Sequence, residues 1–153
     1  MKAVELIEQA DQTVRRLFED GKSVGESRVW IHTKNRLISM PCKPKGSHEE
    51  AQVKAMTCAL IYAARKAGTF EGAVLIAEAW MSNVQAPQQK SYPMPSLDPN
   101  RIEVAMILAY GDDGKVEARA RKIESWGGRR SIGAPLDFFS KTGMVYSLSL
   151  IHI

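Results

Sequence analysis

Four residues in the middle of the chain, Glu78, Asp98, Arg101 and Glu103, are of the types that acid–base or metal-assisted chemistry uses. Carboxylates gathered in one place shift one another's pKa and can hold a divalent cation. Glu78 stands in an apolar run, on the same strand side as Ile76 and Trp80. A carboxylate there is expensive unless it is paired. If the strands carrying Glu78 and Arg101 are neighbours, Arg101 is the expected partner. The chemistry this cluster offers is that of a small metal-dependent hydrolase or nuclease, with Glu78, Asp98 and Glu103 as candidate catalytic carboxylates. The competing reading is a structural ion pair, or a glutamate at a strand end that reaches water.

A second group is basic: Lys115, Arg119, Arg121, Lys122, Arg129 and Arg130. The net charge is only +4, but residues 1–114 hold 14 Lys/Arg against 14 Asp/Glu, while residues 115–153 hold 7 against 3. The whole excess therefore lies in the last quarter. Arg119 and Arg121 share one face of a strand, and the pair Arg129-Arg130 follows the flexible Gly127-Gly128. With Trp126 and Tyr110 nearby, such a row can follow a phosphate backbone and stack on bases. The competing reading is a solvated sheet face of mixed charge, since Glu117 and Glu124 are interleaved.

Other chemistries are poorly served. Cys42, His48 and Cys58 are metal-ligand types without ligand spacing, so neither a metal site nor a cofactor is expected. There is no GxSxG, no phosphate-binding P-loop and no GxGxxG. Two cysteines without framework spacing fit a reducing, cytoplasmic setting. Glu5, Glu8 and Asp11 interrupt any leader-like apolar run, and no stretch is long enough to span a membrane.

The elements that must position these residues follow from periodicity. Val4, Ile7, Ala10, Val14, Leu17 and Phe18 predict a helix over 3–19, stopped by Gly21. Two short strands are expected at 28–33 and 37–40. Ser47 and Glu50 form a capping box ahead of a second helix, which ends at Gly68. Residues 72–81 are apolar on both faces, the mark of a doubly covered strand. A proline-rich loop spans 83–100, and a strand spans 101–111. Asp113-Gly114 signals a two-residue turn into a strand over 115–126. That turn would set Ile107 opposite Ala120 and Leu108 opposite Arg119.

Glu78-Ala79-Trp80, followed by Pro95-Ser96-Leu97-Asp98-Pro99-Asn100-Arg101-Ile102-Glu103, resembles a group of uncharacterised small proteins from phage and environmental genomes. That group pairs an EAW strand with a PSxDPxRxE stretch, and the likeness covers about residues 70–125. The resemblance implies a shared fold and a phage or mobile-element origin, and no reaction. The tail Val145–Ile153 (VYSLSLIHI) alternates like a strand. It also resembles translated sequencing-adapter read-through, so residues 144–153 are expected to be non-native and the natural chain to be cut short near Gly143.

The resulting expectation is one α+β domain over 1–143, an antiparallel sheet with two N-terminal-half helices packed on one face. The leading function is a non-enzymatic, phage-type accessory protein that binds a partner, nucleic acid being the candidate, through residues 115–130. Binding residues would be Arg101, Arg119, Arg121, Lys122, Arg129 and Arg130. The alternatives are the carboxylate enzyme above and a structural or assembly protein that forms a homo-oligomer; no membrane partner is expected.

Overall fold

Apolar side chains on both sides of two long strands require a cover on each side, and that requirement organises the molecule. A computed structural model describes residues 1–42, 49–81, 99, 101–136 and 148–150. Its elements are α1 (Ala3–Glu19), β1 (Arg28–Thr33), β2 (Leu37–Pro41), α2 (Glu49–Lys66), β3 (Phe70–Met81), β4 (Ile102–Gly111), β5 (Val116–Trp126), β6 (Arg129–Pro135) and β7 (Leu148–Leu150). Six strands lie in the order β2-β1-β3-β4-β5-β6, every neighbouring pair antiparallel. β7 pairs with Ala79–Met81 of β3. The architecture is α+β, an open antiparallel sheet with two helices.

Alternation along β3 and β4 places the helices. Ala73, Leu75, Ala77, Ala79 and Met81 join Val104 and Met106 under Val53 and Ile61 of α2. Val74 and Ile76 join Ala105, Ile107 and Ala109 under Leu6, Ile7, Ala10, Val14 and Phe18 of α1. The helices therefore take opposite faces rather than one. A doubly apolar central strand leaves either face too costly to expose, at about 25 cal/mol per Å² of apolar surface. No described helix is long and apolar enough to cross a membrane.

α1 has the predicted bounds. The Glu5 carboxylate accepts from the Lys2 N–H at 3.3 Å, and the Lys22 N–H closes the far end on the Leu17 carbonyl at 2.8 Å. Its buried stripe runs through Leu6 and Asp11, whereas Val4, expected inside, is 59% exposed. For α2, the Ser47 cap lies outside the described residues.

The β4–β5 register differs from the expected one by a single residue. The Gly111 N–H donates to the Lys115 carbonyl at 2.9 Å, so the loop is the three residues 112–114, with Gly114 at φ 76°. That is a three-residue loop ending in a left-handed glycine, a common alternative to the tighter turn. The slip sets Ile107 opposite Arg119, Ala105 opposite Arg121 and Leu108 opposite Ala118. Because side chains alternate, one residue of slip exchanges faces. Arg119 and Arg121 thus point to α1's side of the sheet.

Candidate functional site

The register slip carries Arg119 and Arg121 beneath α1, and α1 offers Asp11. This carboxylate is 1% exposed on the helix's inner face. Arg121 grips it with both arms, Nε to Oδ1 at 2.6 Å and Nη2 to Oδ2 at 2.8 Å. Arg121 Nη1 donates to the Gly133 carbonyl at 3.0 Å, tying β5 to β6. Arg119 reaches Asp11 Oδ2 at 3.1 Å and also pairs with Glu8, while Arg15 approaches at 3.4 Å. Burial alone would raise the Asp11 pKa; the Arg121 hydrogen bonds and the charges of Arg121, Arg119 and Arg15 outweigh it and hold the carboxyl below its usual value. The Arg119 hydrogen bond likewise lowers Glu8. The Glu8 bond in turn raises the Arg119 guanidinium.

Glu78 heads a second network farther along the same face. It is buried, and it accepts from the Val24 N–H at 3.1 Å and from Arg130 at 3.3 and 3.4 Å. The same Arg130 Nη2 bonds Glu103. The guanidinium also lies 5.8 Å from the centre of the Phe18 ring. Burial works against the Arg130 charge, yet bonding to Glu78 and the charges of Glu78 and Glu103 raise its pKa overall. The expected acidic and basic groups are therefore partly one construction. Glu78 and Glu103 do come together, but with Arg130 between them. A carboxylate pair bridged by a guanidinium, with Glu78 buried and Glu103 and Arg130 partly exposed, is an arrangement suited to holding β3, β4 and β6 in place.

The remaining candidates separate. Asp98 lies outside the described residues, as does His48. Arg101 sits over the Trp80 ring at 4.5 Å. Lys122, opposite Val104, is exposed on the other side of the sheet. Tyr110 packs against the α2-side core and is not presented for stacking. Burial pushes the Cys42 thiol up, against the nearby Arg28 charge; Cys58 is exposed, and neither is in a disulfide. Among the described residues, no group of three His, Cys, Asp or Glu side chains is placed to hold a metal ion.

What stays open is the β5–β6 hairpin. Trp126 stands directly across from Arg129, and its ring is 85% exposed. The two-residue connection Gly127-Gly128 has φ of 54° and 80°, left-handed at both positions, which glycine adopts without strain. The Arg129 side chain makes no ion pair or hydrogen bond among the described residues. Beside the hairpin runs an open groove of about 560 Å³ lined by Arg15, Arg121, Arg129 and Arg130 with Phe18, Glu19 and residues 131–134. Arg15, Glu8 and Asp11 were not among the sequence candidates. The signal for Asp11 was available: it lies four residues after Ile7 and three before Val14, inside the buried stripe.

No family model matches the chain, and no curated protein or solved structure matches it.

Proposed function

We infer that the chain is a non-enzymatic binding protein that takes single-stranded nucleic acid on the β5–β6 hairpin and the adjoining arginine groove. The observation that carries this reading is the exposed Trp126 ring paired with Arg129 at the hairpin end, beside a groove lined by Arg15, Arg121, Arg129 and Arg130. An exposed indole gives a base a stacking face, worth about 1–3 kcal/mol per base. Arginine next to it meets the phosphate on either side of that base. The other arginines already hold carboxylates, so they contribute residual field rather than full unpaired charge. The site accordingly suits a short stretch of strand and few phosphates. The two unpaired thiols fit a cytoplasmic setting for such a protein.

Fluorescence anisotropy with labelled single- and double-stranded oligonucleotides tests this. The expected result is salt-dependent binding that favours the single strand and quenches Trp126. No binding at low salt, or binding indifferent to salt, would remove nucleic acid as the partner.

A further inference from the structure

α1 covers only part of its side of the sheet. It packs over β3, β4, β5 and β6 and leaves the β1–β2 edge open. On that open side, Trp30 and His32 rise from β1, Leu37 from β2, and Val74 and Ile76 from β3. Leu6, Gln9, Ala10 and Thr13, one flank of α1, make the opposite wall, and together they enclose a cleft of about 240 Å³. Gly72 stands in register with His32 of the cleft wall. A Cβ there would lie 2.6 Å from Leu6 Cδ1, so the absent side chain lets the helix wall seat against the strand.

No charged side chain lines this cleft. Burial, and next the charge of the N-terminal ammonium, lower the His32 pKa, which keeps the imidazole neutral near pH 7. A neutral imidazole offers one donor and one acceptor, and the Gln9 amide offers both as well. Neither side chain makes a hydrogen bond among the described residues. The Thr13 hydroxyl is turned to the Gln9 carbonyl at 3.1 Å. An ion placed here would find no charged side chain on the walls to pair with. An apolar cavity of about 150 Å³ holds one benzene ring, so this cleft suits one or two fused rings.

From this geometry we propose that the cleft between α1 and β1 binds a neutral, planar heteroaromatic molecule of one or two rings, packed on Trp30 and hydrogen-bonded by His32 and Gln9. The site lies on the flank of α1 away from the arginine groove and does not depend on the nucleic-acid reading.

The test is amide-detected NMR of the whole chain, titrated with benzimidazole, with benzoate and naphthalene as comparison probes. Benzimidazole should give saturable shifts centred on Gln9, Thr13, Trp30, His32 and Leu37, and benzoate should bind at least about tenfold more weakly. His32→Phe should weaken benzimidazole about fivefold to tenfold, the worth of one hydrogen bond, and leave naphthalene unchanged. Thr13→Trp, at an exposed helix position, should close the mouth and abolish the shifts while the remaining spectrum stays folded. Both variants should keep whatever oligonucleotide binding the parent has. The proposal falls if benzimidazole gives no saturable shift at these residues, if benzoate binds equally well, or if Thr13→Trp binds as before. It also falls if the same resonances move with protein concentration alone, because a second copy would then be the occupant.

Discussion

Arg121 and Arg129 are eight positions apart on one hairpin and have opposite fates. Arg121 points beneath α1, where Asp11 takes both its arms and Gly133 the third donor. Arg129 makes no ion pair or hydrogen bond among the described residues and stands across from an 85% exposed tryptophan. A carboxylate within reach is what separates the guanidinium that fastens the fold from the one left without an ion pair. A count of positive charges therefore overstates the binding surface. Much of the basic excess after residue 114 is spent on Glu8, Asp11, Glu78 and Glu103.

The comparison can be broken by removing the buried anchors. Asp11→Asn should have the largest effect, about 3 kcal/mol of lost stability in urea unfolding, because it leaves the partly buried Arg119 and Arg121 without their shared charge. Little or no loss would mean that the Asp11 network does not fasten α1. Glu78→Gln should cost about 2 kcal/mol, since Gln can still accept from Val24 while Arg130 keeps only Glu103. Glu103→Gln, at a position closer to solvent, should cost about 1 kcal/mol.

Acid should act through the same anchors. The pKa of Asp11 and that of Glu8 are lowered in the folded chain. Their contribution is complete above the unfolded carboxylate values, about pH 4, and is lost as pH falls through the lowered folded values. Urea midpoints should hold from neutral pH to about 5 and then drop, and Asp11→Asn should flatten that acid limb. An acid limb unchanged in Asp11→Asn would place the titrating groups elsewhere. The smallest effects on stability belong to the hairpin. Trp126→Ala and Arg129→Gln should each stay within about 0.5 kcal/mol of the parent, while oligonucleotide affinity falls about tenfold for Trp126→Ala.

Local signals in the sequence carried most of the elements. The stripe from Ile7 to Phe18 and the stop at Gly21 give α1, and the doubly apolar run 72–81 gives the centre of the sheet. The pairing of β4 with β5 follows from Asp113-Gly114, but not its register, because that dipeptide fits both a two-residue and a three-residue loop. The error of one residue hid the site: it turned Arg119 and Arg121 away from α1 and left Asp11 without a visible purpose. β6 carries no such signal, since RRSIGAP has little alternation and ends in proline. The opposite placement of the helices was implicit in the two apolar faces of β3. The partnership of Glu78 with Arg130 joins residues 52 apart, and no local pattern announces it.

The central claim, that Arg129 is available where Arg121 is not, is tested most directly by the salt dependence of single-strand binding in the parent and in Arg129→Gln. Measured between about 50 and 200 mM salt, log affinity should fall linearly with log salt, and the slope should become shallower by about 0.7 when Arg129 is replaced. An unchanged slope, or no binding by the parent at the low-salt end, would contradict the account.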